Sequence, residues 1–375
     1  MADFDDDLAL LASELNRTAP IPVADFAMAP RAMETWLSAL RSSGAQELLI
    51  VPGAPPTARD QDTLTPLTAL PVDGLEVEGL VLPLLALRHV DAYRRGQTVD
   101  SAFVAPGLGR FRLHLHRGRG RAAATIHALP LDIPTLDALG ATHDLSVLCT
   151  LTRGLVLVAG PAGAGSTTAV AAIVNAINQR DARHIVIVDD PIGYEHTHGR
   201  SVVEHIEVGT DAPDTATAVR AATRQRADVV AVGDIATPEA ALAALAAAES
   251  GALVLATCRA TTMADAIASV AAAHPPSGQS AAWQALSRHL AAVLVLAPIG
   301  TSRGRRRAFE LLVRGPGSPA LDSATTNAQL RRTCTTSPGP GSFTLHDSVR
   351  ALVERGDLSP DEAAAWLSPS SADLG

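Results

Sequence analysis

Gly154-Leu155-Val156-Leu157-Val158-Ala159-Gly160-Pro161-Ala162-Gly163-Ala164-Gly165-Ser166-Thr167-Thr168 is the stretch that decides the fold. Leu155–Ala159 is a continuous apolar run and reads as a strand buried on both faces. Glycines at 160, 163 and 165 make a tight turn, and Thr167 to Asn178 reads as a helix. Strand, glycine-rich turn and helix in that order are what a phosphate-binding loop requires. Successive backbone N–H groups and the helix N-terminus then offer an anion seat. Gly160, Gly163 and Gly165 let the backbone close on phosphates, with Ser166, Thr167 and Thr168 at the helix start, and Thr167 falls where a hydroxyl would ligand Mg²⁺. A glycine-rich turn that never meets a nucleotide has the same local pattern.

Ser166 occupies the position where such a loop calls for lysine. That ammonium bridges the β- and γ-phosphates and neutralises charge as the phosphoryl group is transferred. Loss of a comparable contact costs on the order of 3–4 kcal/mol, a rate drop of about a hundredfold or more. All 30 cationic residues of the chain are arginine. No other lysine of the same chain can therefore stand in.

Beyond the loop, Ile185–Val188, Val229–Val232 and Leu253–Ala256 read as further buried strands separated by helical segments, which means a parallel sheet covered on both faces. The last hundred or so residues read as mainly helical, with strands near Ala291–Leu296 and Phe309–Val313. Before the loop, Arg31–Arg41 has helical spacing and Gly44 is a stop signal. Leu48–Val51, Gly109–His114 and Ala122–Leu129 read as strands, and Ala54–Pro71 as loop or hairpin. The organisation expected is an acidic tail over 1–25, a small mixed α/β domain over 26–135, a linker over 136–152 with one short helix, and the second domain over 153–375. Alanine dominates the apolar residues and aromatics are 3%, so long helices packed through small side chains are expected.

The net charge of −9 argues against a general nucleic-acid binder. Cys149, Cys258 and Cys334 are scattered, with no spacing for a zinc site or disulfide framework. The acidic start lacks the basic region of a secretory signal. No apolar run reaches the roughly 18–20 residues that span a bilayer. A cytoplasmic protein without membrane insertion is the expectation. His196, His198 and His205 read as a solvated loop rather than metal ligands, and Cys258 as a small buried side chain. Arg117-Gly118-Arg119-Gly120-Arg121 and Arg303–Arg307 read as exposed turn charges, with a phosphate or acidic-partner contact as the minority reading.

The residues around the loop resemble the motor ATPases of type IV pili and type II secretion. Gly154–Gly165 resembles that family's phosphate loop. Ile187-Val188-Asp189-Asp190-Pro191-Ile192 is similar to its acidic box, with Asp189 in place of glutamate. Arg220, Arg224 and Asp228 lead into Val229–Val232 and Gly233-Asp234, like the approach to the second acidic motif, again with aspartate for glutamate. Ala247–Val254 resembles the segment before the family's histidine box, where this chain has Thr257-Cys258-Arg259-Ala260. Gly107–Leu113 and Pro52–Pro56 resemble N-terminal-domain elements. Phe343–Asp347 and Leu352–Gly356 resemble the closing helices.

The resemblance implies an α/β fold, a RecA-like P-loop ATPase domain with a mostly parallel sheet preceded by a small PAS-like domain. It implies ATP and Mg²⁺ as cofactors and a homo-oligomer, a hexameric ring, or a hetero-assembly with an active motor. The implied partner is an inner-membrane pilus or secretion platform protein, which would place the chain peripherally at that membrane. In an active motor Asp189 and Asp234 would position water and metal, with Thr167 and Asp190 on the Mg²⁺ side. Arg110 and Arg112 would reach in from a neighbouring subunit; the further arginine expected before Pro130 is His127. Arg259 would supply charge near a phosphate. Where the retraction subfamily has Ala-Ile-Arg, this chain has Ala320-Leu321-Asp322, a departure from the retraction pattern that leaves extension, retraction and secretion open. Three readings stand: a motor subunit with weak or absent hydrolysis, an active motor with arginine compensation, and a regulatory protein that assembles with an active motor.

Overall fold

The computed structural model describes residues 30–60, 63–301, 304–315, 317–336 and 339–367. The expected acidic tail, and Arg303 of the expected turn charges, lie outside them. The described residues divide into two compact units. One runs to Asp132 and includes Pro191–Tyr194, and the other holds Ile133–Asp190 and continues from Glu195.

The first unit is an antiparallel sheet of six strands: β1 (Glu47–Ile50), β2 (Thr57–Asp60), β3 (Thr63–Pro66), β4 (Val99–Ala105), β5 (Gly109–Gly118) and β6 (Arg121–Ala128), in the order β3-β2-β1-β6-β5-β4. Alternation along β5 puts Phe111, Leu113 and Leu115 on the core face, where Leu48, Ile50, Phe103 and Ile126 join them. The helix Arg31–Ser43 presents Met33, Trp36, Leu37 and Leu40 to that core and ends at Gly44 with φ of 73°, as the stop signal predicts. Gly74–Val81 starts on an Asp73–Glu76 capping box.

The second unit carries a seven-stranded sheet: β7 (Gly154–Ala159), β8 (His184–Asp189), β9 (Val202–Glu207), β10 (Val229–Val232), β11 (Leu253–Cys258), β12 (Leu290–Thr301) and β13 (Gly304–Val313), in the order β13-β12-β7-β11-β10-β8-β9. All pairs are parallel except β12 with β13. Every residue of β7, β10 and β11 is buried, as a sheet covered on both faces demands. Alanine does pack the helices closely: in Pro238–Glu249, Ala240, Ala241, Ala243, Ala244, Ala247 and Ala248 are all buried. The helices are not long, and the described ones do not exceed the 15 residues of Ser166–Arg180.

Strands β4 and β9 go beyond the sequence reading. The β12–β13 hairpin is also far longer than the two short strands expected near Ala291–Leu296 and Phe309–Val313. Ala159, the last residue of β7, pairs with Val295, while β12 runs on to Thr301 opposite Gly304. The hairpin thus overhangs the end of β7. Its overhang is held from behind by a small apolar cluster of Ile299, Ala308, Val349, Leu352, Leu358 and Ala363. Ser348 accepts a hydrogen bond from the Phe309 N–H at 3.0 Å, which pins the strand to the helix Leu345–Glu354.

Candidate functional site

The loop between β7 and the helix Ser166–Arg180 lies at the carboxyl end of the sheet, where open α/β folds bind ligands. Gly163 and Gly165 have φ of +78° and +99°, conformations that only glycine adopts without strain. Gly160 is required for a different reason: a Cβ there would stand 2.8 Å from Ala164 Cβ and 3.0 Å from Ser166 Oγ. Ser166 therefore turns its hydroxyl inward against Gly160. Nothing approaches within 4 Å of a Cβ built on Gly163, so the mouth of the turn is open. Among the described residues no protein acceptor takes the N–H of Gly163, Gly165, Ser166 or Thr167, and Gly165 provides no side-chain cap. Uncapped amides at a helix start form an anion seat.

Parallel pairing brings the other candidates to the same sheet edge. β8 ends in Asp189, β10 leads into Gly233 and Asp234, and β11 leads into Arg259. The Asp189 carboxylate fills the space where a Cβ on Gly233 would stand, so these two strand ends touch. Asp189 Oδ1 also accepts the Asp190 N–H at 2.9 Å. The Thr257 hydroxyl donates to the Gly233 carbonyl, and the Ile235 N–H donates to the Thr257 carbonyl at 3.0 Å. Asp234 is thus fixed from β11. Burial holds its carboxyl above the ordinary range, and the nearby Arg259 partly opposes that rise. Arg259 Nε lies 3.5 Å from Asp234 Oδ2, with its side chain 77% exposed. The guanidinium the sequence offered to a phosphate is engaged with this carboxylate.

Thr167 and Asp190 are exposed. Among the described residues no group of three or more His, Cys, Asp or Glu is arranged to hold a metal ion by itself. That donor set suits Mg²⁺, which takes one or two protein ligands and draws the rest from phosphates and water. Thr167, with Asp190 or Asp189, would hold it, and it would neutralise phosphate charge there. Asp228 serves the frame instead, with Oδ2 accepting the His184 N–H at 2.8 Å. Arg220 donates to Thr217 Oγ1 within the helix Thr215–Arg224.

In the first unit, Arg110, Arg112 and His114 share the face of β5 opposite the core. Arg110 is buried at 8% exposure, and its carbonyl accepts from Arg41. Arg112 is half-buried beside Asp100, at 3.5 Å. His127 joins the same face 3.6 Å from Glu47, and burial lowers its pKa.

Three expectations need correction. His196 is not in a solvated loop: it is buried, its ring stacks on His205, and its backbone N–H donates to His205 Nε2 at 3.1 Å. Its pKa falls to about 3, first through burial and then through His205. Arg306 and Arg307 are not turn charges but strand residues of β13. They line a pocket of about 330 Å³ with Gly163 of the loop, Leu139, Gly140, Pro298, Leu352, Arg355 and Asp357. The sequence marks the run of arginines and offers a phosphate contact only as its minority reading; which of them approaches the loop depends on long-range register. Arg117 is likewise not a plain turn charge, since it lies over the Tyr93 ring at 4.2 Å. Cys258 is buried as expected, its thiol pushed up to about 12.

A mostly parallel sheet with a glycine-rich strand-to-helix loop and acidic strand ends at one edge is the RecA-like α/β fold. Residues 127–279 match the family model described as "Type II/IV secretion system protein". The type IV pilus ATPase PilU of Pseudomonas aeruginosa is 28% identical over 334 residues, 88% of this chain and 87% of PilU. The uncharacterized protein YggR of Escherichia coli is 32% identical over 234 residues, 62% of this chain and 72% of YggR. Among solved structures, the pilus retraction motor PilT with bound ADP superposes with a TM-score of 0.74 at 28% identity, covering 90% of this chain and 98% of that one. The chain belongs to the type II/IV secretion system protein family, whose members include the pilus motor ATPases.

No described helix is long and apolar enough to cross a membrane.

Proposed function

We infer that this chain is a nucleotide-binding motor-type subunit of a type IV pilus or type II secretion system that hydrolyses ATP weakly or not at all. One observation carries the reading. The loop keeps its glycine geometry and uncapped amides, while Ser166 replaces the lysine and the chain has no other lysine to offer. Backbone amides hold a polyphosphate in its ground state; the missing ammonium acts mainly as charge develops. Binding is kept and acceleration is lost.

The strand-end carboxylates support the same reading. Aspartate at 189 and 234 keeps the charge of glutamate but shortens its reach by one methylene, and an error of that size matters for orienting water. Asp189, Asp234 and Arg259 are assigned to the hydrolytic edge, with Thr167 and Asp190 on the Mg²⁺ side. Arg110 and Arg112 are assigned to the nucleotide of a neighbouring subunit. The assembly proposed is a ring, hexameric by family resemblance, either of this chain alone or mixed with an active motor on an inner-membrane platform protein.

The test is calorimetric titration of the full chain with Mg·ATP, followed by phosphate release from the same preparation. Saturable binding with little release supports the reading. Absence of binding defeats it, and so does rapid release.

A further inference from the structure

We propose that Arg307 is the residue that, beside the uncapped amides of the loop, grips the phosphates of a bound nucleoside di- or triphosphate in its ground state. The inference rests on the nucleotide reading of the loop and names the residue that makes it work.

Register sets the geometry. Arg307 pairs with Pro298, three residues beyond the Val295 that faces the end of β7. It therefore sits on the overhang, level with the loop rather than with the strand. A Cβ built on Gly165 would lie 3.4 Å from Arg307 Nε and 3.5 Å from its Cζ. The guanidinium thus lies against the last glycine before the helix that starts at Ser166.

Charge selects Arg307 among its neighbours. Adjacent residues on a strand face opposite ways. Arg306 turns toward Asp357, 3.8 Å away, and Arg355 also binds Asp357, at 2.8 Å. That carboxylate answers those two arginines. Among the described residues no carboxylate pairs with Arg307, whose side chain is exposed in the pocket shared with Gly163. An unpaired guanidinium beside uncapped amides completes a cationic seat, and its planar fork of donors matches phosphate oxygens.

Rigidity supports the assignment. Ile299 and Ala308, the flanking positions on the overhang, are locked into the cluster with Val349 and Leu352. The arginine is held on a packed strand, not on a loose turn. Arg259 is the alternative cation, but it already faces Asp234.

The experiment is calorimetric titration of the full chain and of two variants, Arg307→Ala and Arg307→Lys, with Mg·ADP. The inference predicts about 10- to 100-fold weaker ADP binding by Arg307→Ala. It predicts that Arg307→Lys recovers most of the affinity, because a lysine restores the charge, whereas a purely structural loss would not be repaired this way. Near-unchanged or tighter binding by Arg307→Ala, the latter marking a side chain that blocks the seat, overturns the inference while leaving the loop as a nucleotide site. Failure of the unmodified chain to bind ADP removes the nucleotide reading and this inference together.

Discussion

Arg259 Nε and Asp234 Oδ2 stand 3.5 Å apart where β11 and β10 end side by side. Asp234 is partly buried, and that burial raises its pKa more than Arg259 lowers it. A carboxyl whose folded pKa is raised favours the fold while protonated; that stability is complete below its unfolded pKa and is lost as pH rises through the folded value. At neutral pH the ionised group opposes folding. Asp234→Asn is expected to raise the melting temperature at pH 7, with the gain vanishing near pH 3. Arg259→Ala is expected to lower it at pH 7. Thermal melts across this range check both, and a lower melting temperature for Asp234→Asn at pH 7 contradicts the account.

His196 titrates in the opposite sense. Its pKa lies near 3 because burial and His205 disfavour the imidazolium. A histidine with a depressed folded pKa contributes stability above its unfolded value of about 6.5, and this stability is lost as pH falls from there toward about 3. Acid melts of the chain should show a steady loss over that window. His196→Phe, which keeps a ring at the site, should flatten the loss. An unchanged acid profile for His196→Phe would show that the histidine does not drive it.

The central sheet was legible because buried parallel strands leave continuous apolar runs. Leu155–Ala159, Ile185–Val188, Val229–Val232 and Leu253–Ala256 all lie in strands of one sheet. β9 was not legible, since Glu204, His205 and Glu207 give an edge strand a polar signature and Val202 is exposed. The hairpin overhang was hidden for another reason. Gly300, Gly304 and the arginines carry turn chemistry, and the strands persist there only because Ile299 and Ala308 pack on Val349 and Leu352. The loop and the strand-end carboxylates could be read locally. The approach of Arg307 to Gly165 could not, because it depends on register across three strands.

The loop glycines give a stability-independent check on the site. Gly160→Ala would place a methyl 2.8 Å from Ala164 Cβ and 3.0 Å from Ser166 Oγ, forcing the turn open. Gly165→Ala adds strain at a φ of +99° and crowds Arg307. Both should weaken Mg·ADP binding at least about tenfold while the first unit keeps its fold. Gly163→Ala also meets strain at its φ of +78° but has open space around it, so it should weaken binding less than Gly160→Ala. Titration of the three variants checks the order, and equal affinities would place the phosphates elsewhere.

Gly154 tests the frame beneath the loop. It holds a φ of +101°, and a Cβ there would stand 2.7 Å from the His289 carbonyl. Gly154→Ala is expected to destabilise the chain by about 2–3 kcal/mol, from backbone strain and the displaced β12 start. Urea denaturation measures it, and a change under about 0.5 kcal/mol would show that the sheet edge yields freely.

The most direct measurement of the central claim is steady-state phosphate release at saturating Mg·ATP by the chain and by Ser166→Lys. If the serine is what separates binding from cleavage, the chain releases phosphate slowly and the lysine raises the rate about a hundredfold or more. Brisk release by the unmodified chain, with no gain from the lysine, would contradict it.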